Sequence, residues 1–186
     1  PGGFAFGDRI YNKATDSYVI SPGTMALNSP VSVLIETAVK KNIPILGICN
    51  GFQILTQMDL LPGKLLLNDS KKFFSKKVKC NVHYKNISES TELYVANSYG
   101  KYENENDLNN DECYFLKYED NKVAGVCNMT KKIFGMMPHP ERNNYDFKHM
   151  LFQILLNNHS LNSQMKFDKA IKDLMYSEHI SYKTTR

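Results

Sequence analysis

The sequence predicts an α/β fold: a doubly wound, mostly parallel sheet with flanking helices. Three observations predict it. The short, wholly apolar run Pro44-Ile45-Leu46-Gly47-Ile48 has the pattern of a strand buried on both faces, as a parallel sheet requires. Amphipathic helical spacing lies on either side of that run. Between the strand and its following helix sits Gly47-Ile48-Cys49-Asn50-Gly51, a tight turn at a strand's carboxyl end, where ligands bind in sheets of this type.

The 186 residues are 42% hydrophobic, enough for one domain with a sizeable core, and the formal net charge is a mild +4. Lys71, Lys72, Lys76, Lys77 and Lys79 form a local excess. Without the density or aromatic interleaving of a nucleic-acid footprint, they read as a solvated loop or strand face. Cys49, Cys80, Cys113 and Cys127 show neither C-x-x-C pairing nor metal-ligand spacing with the five histidines. No metal site or disulfide framework is therefore expected, and the pattern suits a reducing, cytoplasmic setting. No apolar run reaches the roughly 20 residues of a membrane span, and no signal-peptide pattern opens the chain. The chain begins Pro1-Gly2-Gly3 without a methionine, so its natural start is expected further upstream.

Taken in order, residues 1–8 form a loop whose adjacent glycines leave the backbone N–H groups accessible. Residues 9–28 give no clear pattern. Ser29 then supplies an N-cap and Pro30 the first helical position. Val31, Leu34, Ile35, Ala38 and Val39 follow at helical spacing, ending near Asn42. After the strand at 44–48 and the turn, a helix is expected over 52–58, stopped by Leu60-Leu61-Pro62-Gly63. Residues 64–67, 76–83, 92–96, 112–118 and 122–127 read as short strands. The cluster Asn68-Asp69-Ser70 and an acidic loop over 103–110 separate them as turns. Cys80, Cys113 and Cys127 fall in these strands and are assigned to packing. A last apolar strand, 132–137, runs into Pro138-His139-Pro140-Glu141-Arg142, and a helix follows over 145–157 with Phe147, Met150, Leu151, Ile154 and Leu155 on one face. The expected organisation is a domain over 1–158, a polar linker over 159–165 and a helical segment over 166–186.

Two of these stretches carry chemistry. A side chain on a tight strand-to-helix turn sits in unfavourable backbone geometry, so its neighbours two positions away must be tiny; Gly47 and Gly51 meet that demand around Cys49. The helix beyond it would aim N–H groups and a positive dipole end at the sulfur, favouring thiolate and offering donors for an oxyanion. Taken alone, the turn equally suits a buried structural cysteine. The second stretch is Pro138-His139-Pro140-Glu141. Each proline forces an extended predecessor, so His139 and Glu141 point the same way, and the carboxylate can orient the imidazole.

Together, Pro1-Gly2-Gly3-Phe4, Gly47-Ile48-Cys49-Asn50-Gly51-Phe52-Gln53, Leu60-Leu61-Pro62-Gly63 and Phe134-Gly135-Met136-Met137-Pro138-His139-Pro140-Glu141-Arg142 resemble the class I (triad) glutamine amidotransferases. They are most similar to the glutaminase subunits of phosphoribosylformylglycinamidine synthases of purine biosynthesis. The likeness runs to about Asn158. It implies a flavodoxin-like fold, here expected to lack its first β-α-β elements, so that the isolated chain should expose a sheet edge and be unstable or inactive. It also implies Cys49 as the nucleophile that cleaves glutamine, His139 as the proton carrier and Glu141 as its orienter. Backbone amides of Gly3 and Asn50 are implied as the oxyanion hole, and Gln53, Asn97 and Ser98 as substrate contacts. The segment Ala96-Asn97-Ser98-Tyr99-Gly100-Lys101-Tyr102 departs from the family's Ala-His-Gly-Glu-Gly-Arg-Tyr. No cofactor or metal is implied for this half. ATP and Mg are expected only in a synthetase partner, either separate or fused, and a small accessory protein is a further implied partner. No nucleic-acid or membrane partner is implied. Finally, Leu174-Met175-Tyr176-Ser177-Glu178-His179 resembles the start of that synthetase, which would make His179 one of its active-site residues. The competing expectations are the glutaminase of another amidotransferase, a Cys-elbow peptidase or deglycase relative, and a non-catalytic docking module. Asn50 and Glu141 argue against the peptidase or deglycase reading.

Overall fold

The computed structural model describes residues 23–104, 113–128, 132–142 and 145–156. The chain divides into two compact units, 1–148 and 149–186. The expected glycine loop at 1–8, the linker and the terminal helical segment lie outside the described residues.

After a short 3-10 helix, Thr24–Asn28, comes α1, Pro30–Lys40. Ser29 Oγ caps it by accepting the Val31 N–H at 3.3 Å, with Pro30 in the first turn. Lys41 N–H returns to Thr37 O, and Asn42 leaves the helix at φ 53°. β1, Ile45–Ile48, leads through Cys49 into α2, Asn50–Gln57. Then follow β2, Lys64–Leu66; β3, Phe74–Tyr84; β4, Ile87–Asn97; β5, Lys101–Glu103; β6, Leu116–Tyr118; β7, Val123–Asn128; β8, Ile133–Met136; and α3, Tyr145–Leu156. Helix α3 starts in the first unit, where Phe147 is buried, and continues into the second, where Met150, Leu151, Ile154 and Leu155 are buried.

The main sheet has the order β1-β8-β7-β6-β3-β4, and β2 pairs with β5 in a small second sheet. The α/β class with flanking helices is what the sequence predicts. The balance of strand directions differs: among the described strands only β1 and β8 are parallel, and every other pair is antiparallel. A parallel neighbour needs a long crossover, and α2 is the only described helix between β1 and β8. Strands β3 and β4, eleven residues each, can therefore fold straight back on one another about Tyr84↔Ile87.

Strands β1 and β4 stand at opposite ends of this order, yet they meet. The open edge of β4 returns to the ends of β1 and β8. His139 N–H donates to Tyr94 O at 2.7 Å in an isolated antiparallel bridge, and the Cys49 thiol donates to Ala96 O at 3.7 Å. The mixed sheet is thus curled into a half-barrel. Its core beneath the turn contains Phe52, Leu55, Leu61, Leu65, Val126, Ile133 and Met137. Gly135 is needed there, since a Cβ would lie 2.2 Å from the Phe52 ring.

Candidate active site

Cys49 sits at φ 52°, ψ −107°, a state that a residue with a Cβ adopts only under external constraint. Three constraints hold it. Its N–H donates to Met136 O at 2.7 Å, tying it to the end of β8. Its carbonyl accepts Phe52 N–H at 3.0 Å and Gln53 N–H at 3.2 Å, starting α2. Gly47 lets β1 and α2 approach so closely that a Cβ there would lie 2.6 Å from Gly51 O and from Leu55 Cδ1. The small-residue demand evident in the sequence is therefore the packing of strand against helix. The sulfur rests at the N-terminal, positive end of α2.

His139 arrives from the neighbouring strand. Since Ile48 and Met136 are register partners in parallel β1 and β8, Cys49 and the Pro138-His139 segment emerge at the same end of the sheet. His139 is 1% exposed, and its Nδ1 lies 2.6 Å from Glu141 Oε1. Burial alone would raise the Glu141 carboxyl, but the His139 hydrogen bond, a backbone hydrogen bond and the charges of His139 and Arg142 together hold it below its ordinary value of 4.5. A carboxylate at Nδ1 leaves Nε2 as the nitrogen able to exchange protons. His139 Nε2 is buried without a hydrogen-bond partner among the described residues. Cys80 and Cys127 are different: burial pushes both thiols up to about 12, consistent with inert packing side chains.

The opposite wall is the stretch from Ala96 to Gly100. Gln53 is 1% exposed, and both ends of its amide are engaged: Oε1 accepts from Asn50 Nδ2 at 2.8 Å and Nε2 donates to Tyr99 O at 2.8 Å. Asn97 is 1% exposed, and its Nδ2, like His139 Nε2, has no partner among the described residues. Sequence reasoning misses three parts of this wall. They are the Ala96 carbonyl that receives the thiol, the Tyr99 carbonyl held by Gln53, and Asn68, whose sequence signal is only that of a turn. It also misses β5. Tyr102 of β5 stacks on Phe52 at 6.0 Å and donates to Pro62 O at 3.0 Å, which only a Gly63 at φ 77° permits, since a Cβ there would meet the ring at 2.5 Å.

The family model for Glutamine amidotransferase class-I matches residues 7–158. The chain belongs to the class I glutamine amidotransferases. It is 38% identical over 160 residues to phosphoribosylformylglycinamidine synthase subunit PurQ of Staphylococcus saprophyticus, covering 76% of this chain and 67% of that protein. It is 36% identical over 156 residues to the PurQ subunit of Thermotoga maritima, with the same two coverages. Among solved structures it is similar to a chain of PurLQS from Thermotoga maritima, with TM-score 0.68 and 34% identity over 84% of this chain and 76% of that one. A putative GMP synthase component from Thermoplasma acidophilum shares the fold, with TM-score 0.51 at 18% identity, over 80% of this chain and 72% of that one. In this amidotransferase the structure brings together Cys49, Asn50, Gln53, Asn97, Ser98, His139 and Glu141 around the ends of β1, β4 and β8. Gly3 and His179 lie outside the described residues.

Proposed function

We propose that the chain is the glutaminase component of phosphoribosylformylglycinamidine synthase. It hydrolyses glutamine and passes ammonia to an ATP-dependent synthetase that converts formylglycinamide ribonucleotide to its amidine in purine biosynthesis. The observation that carries this reading is Cys49, held in a strained turn on the strand next to the one that delivers the His139–Glu141 pair. The PurQ names of the relatives and the PurLQS assembly of the structural neighbour supply the reaction and the partner.

The chemistry follows from the positions. His139 Nε2 takes the thiol proton, and Cys49 Sγ attacks the side-chain carbonyl carbon of glutamine. Backbone N–H groups at the start of α2, with Asn50 foremost, face the oxygen that becomes negative, and Gly3 is proposed as the other donor. The tetrahedral centre collapses as the imidazolium gives its proton to the departing nitrogen, leaving ammonia and a thioester. Water, deprotonated by the same imidazole, then attacks the thioester and releases glutamate and the thiol. Glu141 keeps the ring oriented and stabilises its charged form throughout. Thiol, imidazole and water complete the hydrolysis, so we assign this half no cofactor; ATP and Mg belong to the synthetase, whether separate or fused. No described helix is long and apolar enough to cross a membrane. We assign the reaction to the cytoplasm, where free thiols such as Cys49, Cys80 and Cys127 stay reduced.

Glutamate release from glutamine, measured for the full chain with and without its synthetase, tests this. Turnover should depend on the partner and vanish in Cys49→Ala. Equal turnover by Cys49→Ala would overturn the assignment. So would a wild-type complex that forms neither glutamate nor a Cys49 adduct with a glutamine-analogue electrophile.

A further inference from the structure

The carbonyls of Tyr94 and Ala96, two residues apart on β4, leave the strand by the same edge. The first accepts His139 N–H at 2.7 Å, and the second accepts the Cys49 thiol at 3.7 Å in a buried contact. One strand edge thus holds the base and touches the nucleophile. His139 Nε2 has no hydrogen-bond partner among the described residues. Before reaction the thiol proton therefore points at Ala96 O and not at the base.

The reaction reverses this. Once His139 Nε2 takes the thiol proton, Ala96 O becomes a buried acceptor that has lost this donor, a costly state unless another arrives. The carbonyl is not free to turn toward one elsewhere. On its C-terminal side Asn68 Nδ2 donates to Asn97 O at 3.0 Å and to Asn97 Oδ1 at 3.1 Å, while Asn68 Oδ1 accepts Gly100 N–H at 3.0 Å. Asn68 N–H donates to Ser98 O at 2.8 Å, and Gln53 Nε2 donates to Tyr99 O at 2.8 Å. On its N-terminal side Tyr94 is tied to His139. The acceptor is fixed in place before the chemistry begins.

The bonds that form identify the new donor. Sγ attacks the side-chain carbonyl carbon of glutamine, and the amide nitrogen is bonded to that same carbon, two bonds from sulfur. An oxygen 3.7 Å from the sulfur is within hydrogen-bond reach of a nitrogen so attached. We propose that the Ala96 carbonyl is a catalytic group of the glutaminase, accepting an N–H of the substrate's side-chain amide and thereby selecting amide over ester or carboxylate. This rests on the glutaminase reading above. With one N–H held by Ala96 O, the lone pair that develops on nitrogen in the tetrahedral centre faces the His139 imidazolium, which returns the proton taken from the thiol. The C–N bond breaks, nitrogen leaves as ammonia, and Sγ keeps the acyl group as a thioester. The product glutamate puts a carboxylate oxygen where the nitrogen stood, with no hydrogen to donate, so the same carbonyl repels it.

Cys49→Ala removes the thiol and leaves Ala96 O in place, so the full chain in complex with its synthetase can be titrated without turnover. Glutamine should bind this variant at least about tenfold more tightly than glutamate γ-methyl ester, the worth of one hydrogen bond. Equal affinities would overturn the proposal. A second chain, with Cys49 intact, assigns the preference to Ala96: the α-hydroxy analogue of asparagine at position 97 turns the 96–97 peptide bond into an ester and weakens the Ala96 carbonyl as an acceptor. Its kcat/KM for glutamine should fall about tenfold while that for the γ-methyl ester stays within about threefold. Equal falls on the two substrates, the signature of a structural role alone, would overturn the proposal, as would no fall on glutamine. A parent complex that is alkylated at Cys49 by iodoacetamide but hydrolyses neither substrate would instead defeat the glutaminase reading itself.

Discussion

The wall formed by β1, the Cys49 turn and β8 differs from the wall formed by residues 96–100 in how its geometry is enforced. The first is rigid because backbone meets backbone: parallel strands in register, Gly47 pressed on Gly51, and a residue driven to φ 52°. Nothing there can move without breaking the ladder. The second is an edge-strand end held by neutral side-chain amides, Asn68 on one side and Gln53 on the other. Steric packing sets where the nucleophile is, whereas replaceable hydrogen bonds set what surrounds it. The position of the nucleophile thus depends on packed backbone, and that of residues 96–100 on side-chain hydrogen bonds.

The largest effect should come from disturbing the packed wall. In Gly47→Ala the new methyl would overlap Gly51 O and Leu55 Cδ1, each at 2.6 Å, and one of those contacts is backbone that cannot yield cheaply. Displacement of the turn by about 1 Å is worth on the order of 100-fold in rate. Glutamine turnover should fall at least that far, with a lower thermal midpoint. Turnover within tenfold of the parent would show that the turn is not sterically locked.

Legibility in the sequence follows the same division. The capping serine and Pro30, the apolar β1, the glycines around Cys49 and the prolines around His139 are local rules, each acting within a few residues, and the elements they predict are present within one or two positions. Asn68 obeys a local rule too, as a turn residue, but its hydrogen bonds reach positions 97 and 100, which no spacing reveals. The excess of antiparallel pairs is hidden for a related reason: strand periodicity gives faces, not directions. Strand β5 is three residues long and set by Tyr102 against Phe52, a contact only the fold creates.

A smaller effect, still on the first wall, is expected from Glu141→Gln. The substitution keeps the size and removes the charge facing His139 Nδ1, so kcat should drop on the order of 100-fold. Glu141 also links stability to pH. Its folded-state value is depressed, so its contribution is present above the ordinary 4.5 and is lost as pH falls through the lowered value. The thermal midpoint of the parent should therefore decline more steeply than that of Glu141→Gln between about pH 6 and about pH 3. Parallel declines would show that the pair contributes nothing to the folded state.

The smallest effect should come from the residue next to Asn68. Asp69 is exposed; a hydrogen bond from Lys101 and that cation's charge, joined by Lys122, hold its carboxyl below the usual range. The distances are short, 2.8 Å to Lys101 Nζ and 3.4 Å to Lys122 Nζ. Yet water and salt screen exposed pairs, which typically contribute little. If buried amides hold residues 97–100, Asp69→Ala should leave KM for glutamine within twofold and the thermal midpoint nearly unmoved, at both low and high ionic strength. A KM increase of about tenfold in Asp69→Ala, matched in the parent by added salt, would mean that the surface ion cluster, not the buried amides, holds residues 97–100 in place.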